Sequence, residues 1–236
     1  MANSERPLFA VLIDADNIQA KHAAAILNEI ASFGEPALRR VYGDWSSGRL
    51  TGWTKQVREL GLVAQQQTAN TTGKNASDIG LVIDAMDILH SGRFDGFVLV
   101  SSDSDFTALG NRIREQGLDV IGIGEAKTPE SLRNVCNRFI LIDNIVETPG
   151  DTRSTSGAKA KLSAADAEKL VLTALDKSDL PDGWIPLGQL GQIIQAEHRD
   201  FDVRTYGERK LSDLVYKLKK VETRKEDNQV YARRID

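Results

Sequence analysis

Two apolar runs in this chain lead into paired aspartates, Phe9–Ile13 directly into Asp14-Ala-Asp16 and Phe97–Val100 through two serines into Asp103-Ser-Asp105. A continuously apolar run that feeds a helical pattern reads as a strand buried on both faces, the condition of strands in a parallel sheet covered by helices. The carboxyl ends of such strands open into the crevice where α/β proteins bind ligands. Both acidic pairs are therefore expected to point at one place. Carboxylates packed together repel one another unless a cation lies between them, and an all-oxygen donor set suits Mg²⁺ or Mn²⁺. The pattern marks a candidate site for metal-assisted phosphodiester chemistry.

Alternation of strand and helix patterns continues to about Asn144. Strands are predicted over 9–14, 37–43, 61–67, 96–101 and 118–123, with a last apolar run over 138–142. Helices are predicted over 20–33, 52–60 and 105–116 and near Pro129. A further helix follows the polar stretch 68–75, with Ile79, Val82, Ile83, Met86 and Leu89 on its apolar side. Repeated βα units imply a doubly wound, mostly parallel α/β sheet with right-handed crossovers. Residues 148–162 are rich in Gly, Ser and Thr and lack large apolar side chains until Leu162, which reads as a flexible linker between a first domain over 1–147 and a second over 163–236. In the second, helices over 164–175, 187–196 and 210–218 precede two short strands around Glu226-Asp-Asn228, the outline of a small winged helix-turn-helix.

Composition narrows the function. At 236 residues and 41% apolar content the chain can bury a sizeable core, and its net charge of −4 excludes a wholly basic coat for nucleic acid. One cysteine excludes an internal disulfide framework and a cysteine-rich zinc site, and Cys136 reads as an inert core thiol. Neither a signal-like amino terminus nor a run long enough to span a bilayer is present, so a soluble, cytoplasmic protein without membrane contact is expected.

Each acidic residue also has a plainer use. Asp16 or Asp103 could cap the helix that follows, although capping needs one carboxylate per helix and each turn here has two. Asp78 adds a carboxylate from the first turn of the intervening helix. Asp84 lies roughly 120° around that helix from Asp78 and is not expected to join the cluster, and Asp87 faces elsewhere. Lys74 could hold a scissile phosphate or simply be solvated. Trp45 and Trp53 could stack bases, with packing the favoured use. Gly122-Ile-Gly124 is read as a turn, since no third glycine opens a following helix.

The motifs Leu12-Ile-Asp14-Ala-Asp16-Asn17, Gly73-Lys-Asn-Ala-Ser-Asp78 and Val100-Ser-Ser-Asp103-Ser-Asp105-Phe106 together resemble the NYN domain, a branch of the PIN-like nuclease superfamily. The resemblance covers roughly residues 8–145. It implies a metal-dependent (endo)ribonuclease in which Asp14, Asp78, Asp103 and Asp105 surround one or two Mg²⁺ or Mn²⁺ ions, with Asn17, Ser101 and Ser102 lining the site. Gly183-Trp-Ile-Pro-Leu187 and Phe201-Asp-Val-Arg-Thr-Tyr206-Gly207 resemble the LOTUS domain, also called OST-HTH. This implies a module that binds RNA or docks RNA-processing proteins. Lys217, Lys219 and Lys220 could grip phosphates there, or form a solvated face. Two other readings stay open at this stage. One is a non-catalytic RNA-binding scaffold; the other is an aspartate-based phosphatase, for which the expected Thr is replaced by Asn17-Ile18. The oligomeric state is not legible in the sequence.

Overall fold

The computed structural model describes residues 6–46, 48–66, 76–146, 162–177 and 183–235. Lys74 and nearly all of the predicted linker lie outside them. The chain divides into two compact units, Met1–Pro149 and Gly150–Asp236.

The first unit is built on β1 (Leu8–Asp14), β2 (Glu35–Gly43), β3 (Val63–Gln66), β4 (Gly96–Val100), β5 (Asp119–Gly124) and β6 (Arg138–Leu141). Every pairing is parallel, in the order β3-β2-β1-β4-β5-β6. The direction of winding reverses between β1 and β4, and at such a switch point the connecting chains diverge and leave a crevice beyond the carboxyl ends. Ile13 pairs with Val41 on one side and Val100 on the other, so Asp14 emerges at that crevice.

Alternation along β1 explains the layers. Val11 and Ile13 join one apolar cluster with Ile26 and Ile30 of α1 (Ala23–Phe33) and Trp53 of α2 (Thr51–Leu60). Ala10 and Leu12 join the opposite cluster, with Leu81 and Ala85 of α3 (Ala76–His90), Leu109 and Ile113 of α4 (Thr107–Glu115) and Leu132 of α5 (Glu130–Val135). A short helix the sequence reading did not foresee, α6 (Ile142–Val146), follows β6. Gly61 ends α2 in the left-handed conformation, φ 63°, where a side chain would be strained. Cys136 is buried in the second cluster, where burial pushes its thiol up to about 12, as expected of an inert core residue.

In the first unit the structure departs from the sequence expectation on β5 and on α3. Gly122 and Gly124 lie on β5, not in a turn. The glycine at 122 is a packing requirement, because a Cβ there would sit 2.5 Å from the Phe139 ring and 2.6 Å from Cys136 Sγ. On α3 the buried face is Leu81, Ala85, Ile88 and Leu89, with Val82 and Met86 partly covered, while Ile79 and Ile83 face solvent. The apolar positions there wrap more of the helix than one side can bury.

The second unit packs α7 (Ala164–Asp176), α8 (Leu187–Glu197) and α9 (Leu211–Val215) on a three-stranded sheet of β7 (Ile185–Pro186), β8 (Val221–Glu226) and β9 (Gln229–Arg234), ordered β7-β9-β8. α7 opens with a capping box between Ser163 and Asp166. The ribbon turns at Asp227 and Asn228, both at positive φ (43° and 66°), as tight hairpins demand. α9 is shorter than the predicted 210–218 helix, and β7 adds a strand the sequence reading lacked.

Candidate active site

Asp14 ends β1 and is only 1% exposed. A charge so placed must be hydrogen-bonded, and both oxygens are. The backbone N–H groups of Asp16 and Asn17 donate to Oδ1 at 3.1 and 3.2 Å. Oδ2 accepts from Asn17 Nδ2 at 2.6 Å and from Ser101 Oγ at 2.8 Å. Burial nevertheless pushes the Asp14 carboxyl above its ordinary range, against the opposing pull of those bonds.

Ser101 and Ser102, at the end of β4, are both buried. Ser101 Oγ also accepts from the backbone of Asp103 at 3.1 Å, and Ser102 Oγ accepts from the backbone of Glu125 at 2.9 Å, tying β4 to the end of β5. Asp103 caps the single 3-10 turn Ser104–Phe106, accepting from the Asp105 N–H at 2.9 Å, so its capping role is real. Asp16 and Asp105 are exposed at the rim.

Asp78, in the first turn of α3, links the two pairs electrostatically. Its carboxyl is pushed up to about 6, first by burial and then by the charges of Asp14, Asp103, Asp16 and Asp105. Four aspartates from two strand ends and Asp78 from a helix start therefore share one field. As placed, no three acidic or imidazole groups among the described residues close into a ligating cluster. The donor set itself, carboxylates with hydroxyl and amide oxygens around them, is that of a hard divalent cation. Asp84 stands apart, as its position on the helix predicts: it accepts from Arg40 and from the hydroxyl of buried Tyr42. Trp53 is buried and donates to the Ile18 carbonyl at 3.0 Å, and Trp45 donates to the Gln65 carbonyl at 2.9 Å, consistent with packing.

One feature was missed in the sequence. Ile79, Val82, Ile83 and Phe106 line a cleft of about 270 Å³ whose other walls are Asp78 and Asp105. The signal was present in the surplus of apolar positions on α3. In the second unit Lys217, Lys219 and Lys220 are all exposed, and Lys217 is paired with Glu208. Arg224 pairs with Glu226 at 3.4 Å and Arg233 with Glu222 at 2.5 Å, so carboxylates neutralise part of the basic side.

A domain-family model for the NYN domain matches residues 9–143, and one for the OST-HTH/LOTUS domain matches residues 165–231. The chain belongs to the NYN domain family and carries an OST-HTH/LOTUS domain after it. That places it in a PIN-like nuclease family joined to a module of RNA-associated proteins. Among solved structures, a protein of unknown function from Vibrio parahaemolyticus is similar at TM-score 0.52 and 19% identity, over 60% of this chain and 96% of that one, a likeness of fold alone. MurG of Acinetobacter baumannii aligns at TM-score 0.40 and 12% identity over 74% of this chain and 56% of its own, too low to carry an argument. No curated protein matches the chain. No helix among the described residues is long and apolar enough to cross a membrane.

Proposed function

We propose that this protein is a metal-dependent ribonuclease that hydrolyses RNA phosphodiesters in the cytoplasm, with Asp14, Asp78, Asp103 and Asp105 holding Mg²⁺ or Mn²⁺. The observation that carries the reading is the convergence of these carboxylates on the switch point between β1 and β4, where burial first, and then the charges of Asp14, Asp103, Asp16 and Asp105, push the Asp78 carboxyl up to about 6. A cation bound there supplies an activated water and neutralises charge on the leaving oxygen. The chain's own residues do the positioning. Asn17 and Ser101 fix the Asp14 carboxylate in one orientation, and Ser102 holds the ends of β4 and β5 in register. Lys74, four residues before Asp78 in the sequence, would hold the scissile phosphate. The second unit would bind RNA through Lys217, Lys219 and Lys220, or dock an RNA-processing protein, and so raise the local concentration of substrate.

A second reading, RNA binding without cleavage, draws support from the commitment of both Asp14 oxygens to protein donors and from the lack of a ligating cluster among the described residues. Incubation of the purified chain with end-labelled single-stranded RNA separates the two. The nuclease reading expects cleavage with Mn²⁺ or Mg²⁺, its loss with chelator, and its loss in Asp103→Asn. Binding without cleavage under every metal condition would favour the scaffold, and chelator-insensitive cleavage would overturn the metal mechanism.

A further inference from the structure

Ile79 and Ile83 sit one turn apart on α3 and are 60% and 59% exposed, although both are large and apolar. Isolated exposed apolar side chains are ordinary, but a contiguous set beside charged groups marks a contact surface. These two join Val82 and buried Phe106 in the cleft of about 270 Å³ that Asp78 and Asp105 close. Asp78 and Ile79 are adjacent in sequence, so whatever enters the cleft is brought against the carboxylate cluster.

We propose that this cleft is a nucleobase subsite: it receives one base of the single-stranded RNA beside the bond to be cut. The inference rests on the ribonuclease reading above and deepens it. Three observations favour a base over other occupants. The volume lies just below the roughly 300–1,000 Å³ of small-molecule pockets, which suits one planar ring system and is too small for a helix. The accessible apolar walls are aliphatic, Ile79, Val82 and Ile83, since Phe106 is itself buried, and they give dispersion contact to the flat faces that every base offers. Among the described residues the polar groups of the lining, Asp78 and Asp105, lie at the carboxylate edge, where the sugar-phosphate of the same nucleotide would be drawn by a bound cation. Contact of this kind selects unstacked bases over paired ones and discriminates weakly among the four. A base held in a duplex would have to leave its stack, at a cost of a few kcal/mol, before it could enter.

The test compares the full-length chain with Ile79→Gln/Ile83→Gln on two short RNAs in Mn²⁺, one intact and one carrying a single abasic ribose beside the cleaved bond. The wild type should lose about 10-fold in kcat/KM on the abasic RNA, equivalent to roughly 1.4 kcal/mol. The variant should lose a similar factor on intact RNA and little more on the abasic one, as expected when both changes remove the same contact. Equal cleavage of both RNAs by the wild type, or equal losses on both RNAs in the variant, overturns the subsite. Should the wild type cut neither RNA, the nuclease reading fails on its own, and a photoreactive benzoylphenylalanine in place of Ile83 decides the subsite. Cross-linking to RNA upholds it, whereas cross-linking only to a second copy of the chain, or no cross-link with RNA bound, overturns it.

Discussion

Ser101 Oγ donates to Asp14 Oδ2 across 2.8 Å and so joins the ends of the two strands that flank the topological switch point. The bond does two things at once. It satisfies a buried carboxylate and fixes where that carboxylate points. Relief of repulsion would have Asp14→Asn stabilise the metal-free protein, but the geometry reverses that expectation, since an amide nitrogen would face donors on at least one side.

Asp14→Asn should therefore destabilise the metal-free chain by about 1–3 kcal/mol, and Ser101→Ala by about 1–2 kcal/mol, the cost of hydrogen bonds to a charged group. Urea unfolding monitored by circular dichroism measures both. A metal-free Asp14→Asn protein more stable than the wild type would show that repulsion outweighs the four bonds.

Asp78 should behave in the opposite way. Its folded carboxyl lies at about 6 against an ordinary 3.8. Between those values the folded state keeps a proton that the unfolded chain has released, so this residue's contribution to stability falls as pH rises through the window and its penalty is complete above about pH 6. Asp78→Asn should accordingly melt higher than the metal-free wild type at about pH 7, with the difference vanishing near pH 4. Saturating Mn²⁺ should raise the wild-type melting temperature and have a smaller effect on the variant. Parallel melting curves at all pH values would remove Asp78 from the shared field.

The contact of Asp84 with Arg40 and Tyr42 anchors α3 to β2, and thereby the helix that carries Asp78. Tyr42→Phe should cost about 1–2 kcal/mol and Asp84→Ala about 2–4 kcal/mol, because the second leaves a half-buried guanidinium and a buried hydroxyl without their partner. Denaturant midpoints at constant m check the order. An Asp84→Ala protein as stable as the wild type would mean that α3 is held by its apolar face alone.

Much of this was legible in the sequence because the physics is local. Continuous apolar runs announce strands buried on both faces, and β1, β4 and β5 lie within two residues of their predicted bounds. Asp84 could be separated from Asp78 by helix geometry alone. What failed depended on neighbours. Gly122 is glycine because Phe139 crosses it, a contact between strands that no local pattern encodes. Ile79 and Ile83 read as core because hydropathy cannot tell a buried face from an apolar wall beside a site. The Ser101–Asp14 bond spans 87 positions and is set by the order of the strands.

The proposed chemistry requires the carboxylates at the β1–β4 switch point to bind a divalent cation. A crystal of the full chain grown in Mn²⁺, with anomalous data collected at the manganese edge, tests it directly. A peak is expected within about 2.0–2.5 Å of oxygens from Asp14, Asp103 and Asp78. Saturating Mn²⁺ with no anomalous density at these carboxylates would contradict it.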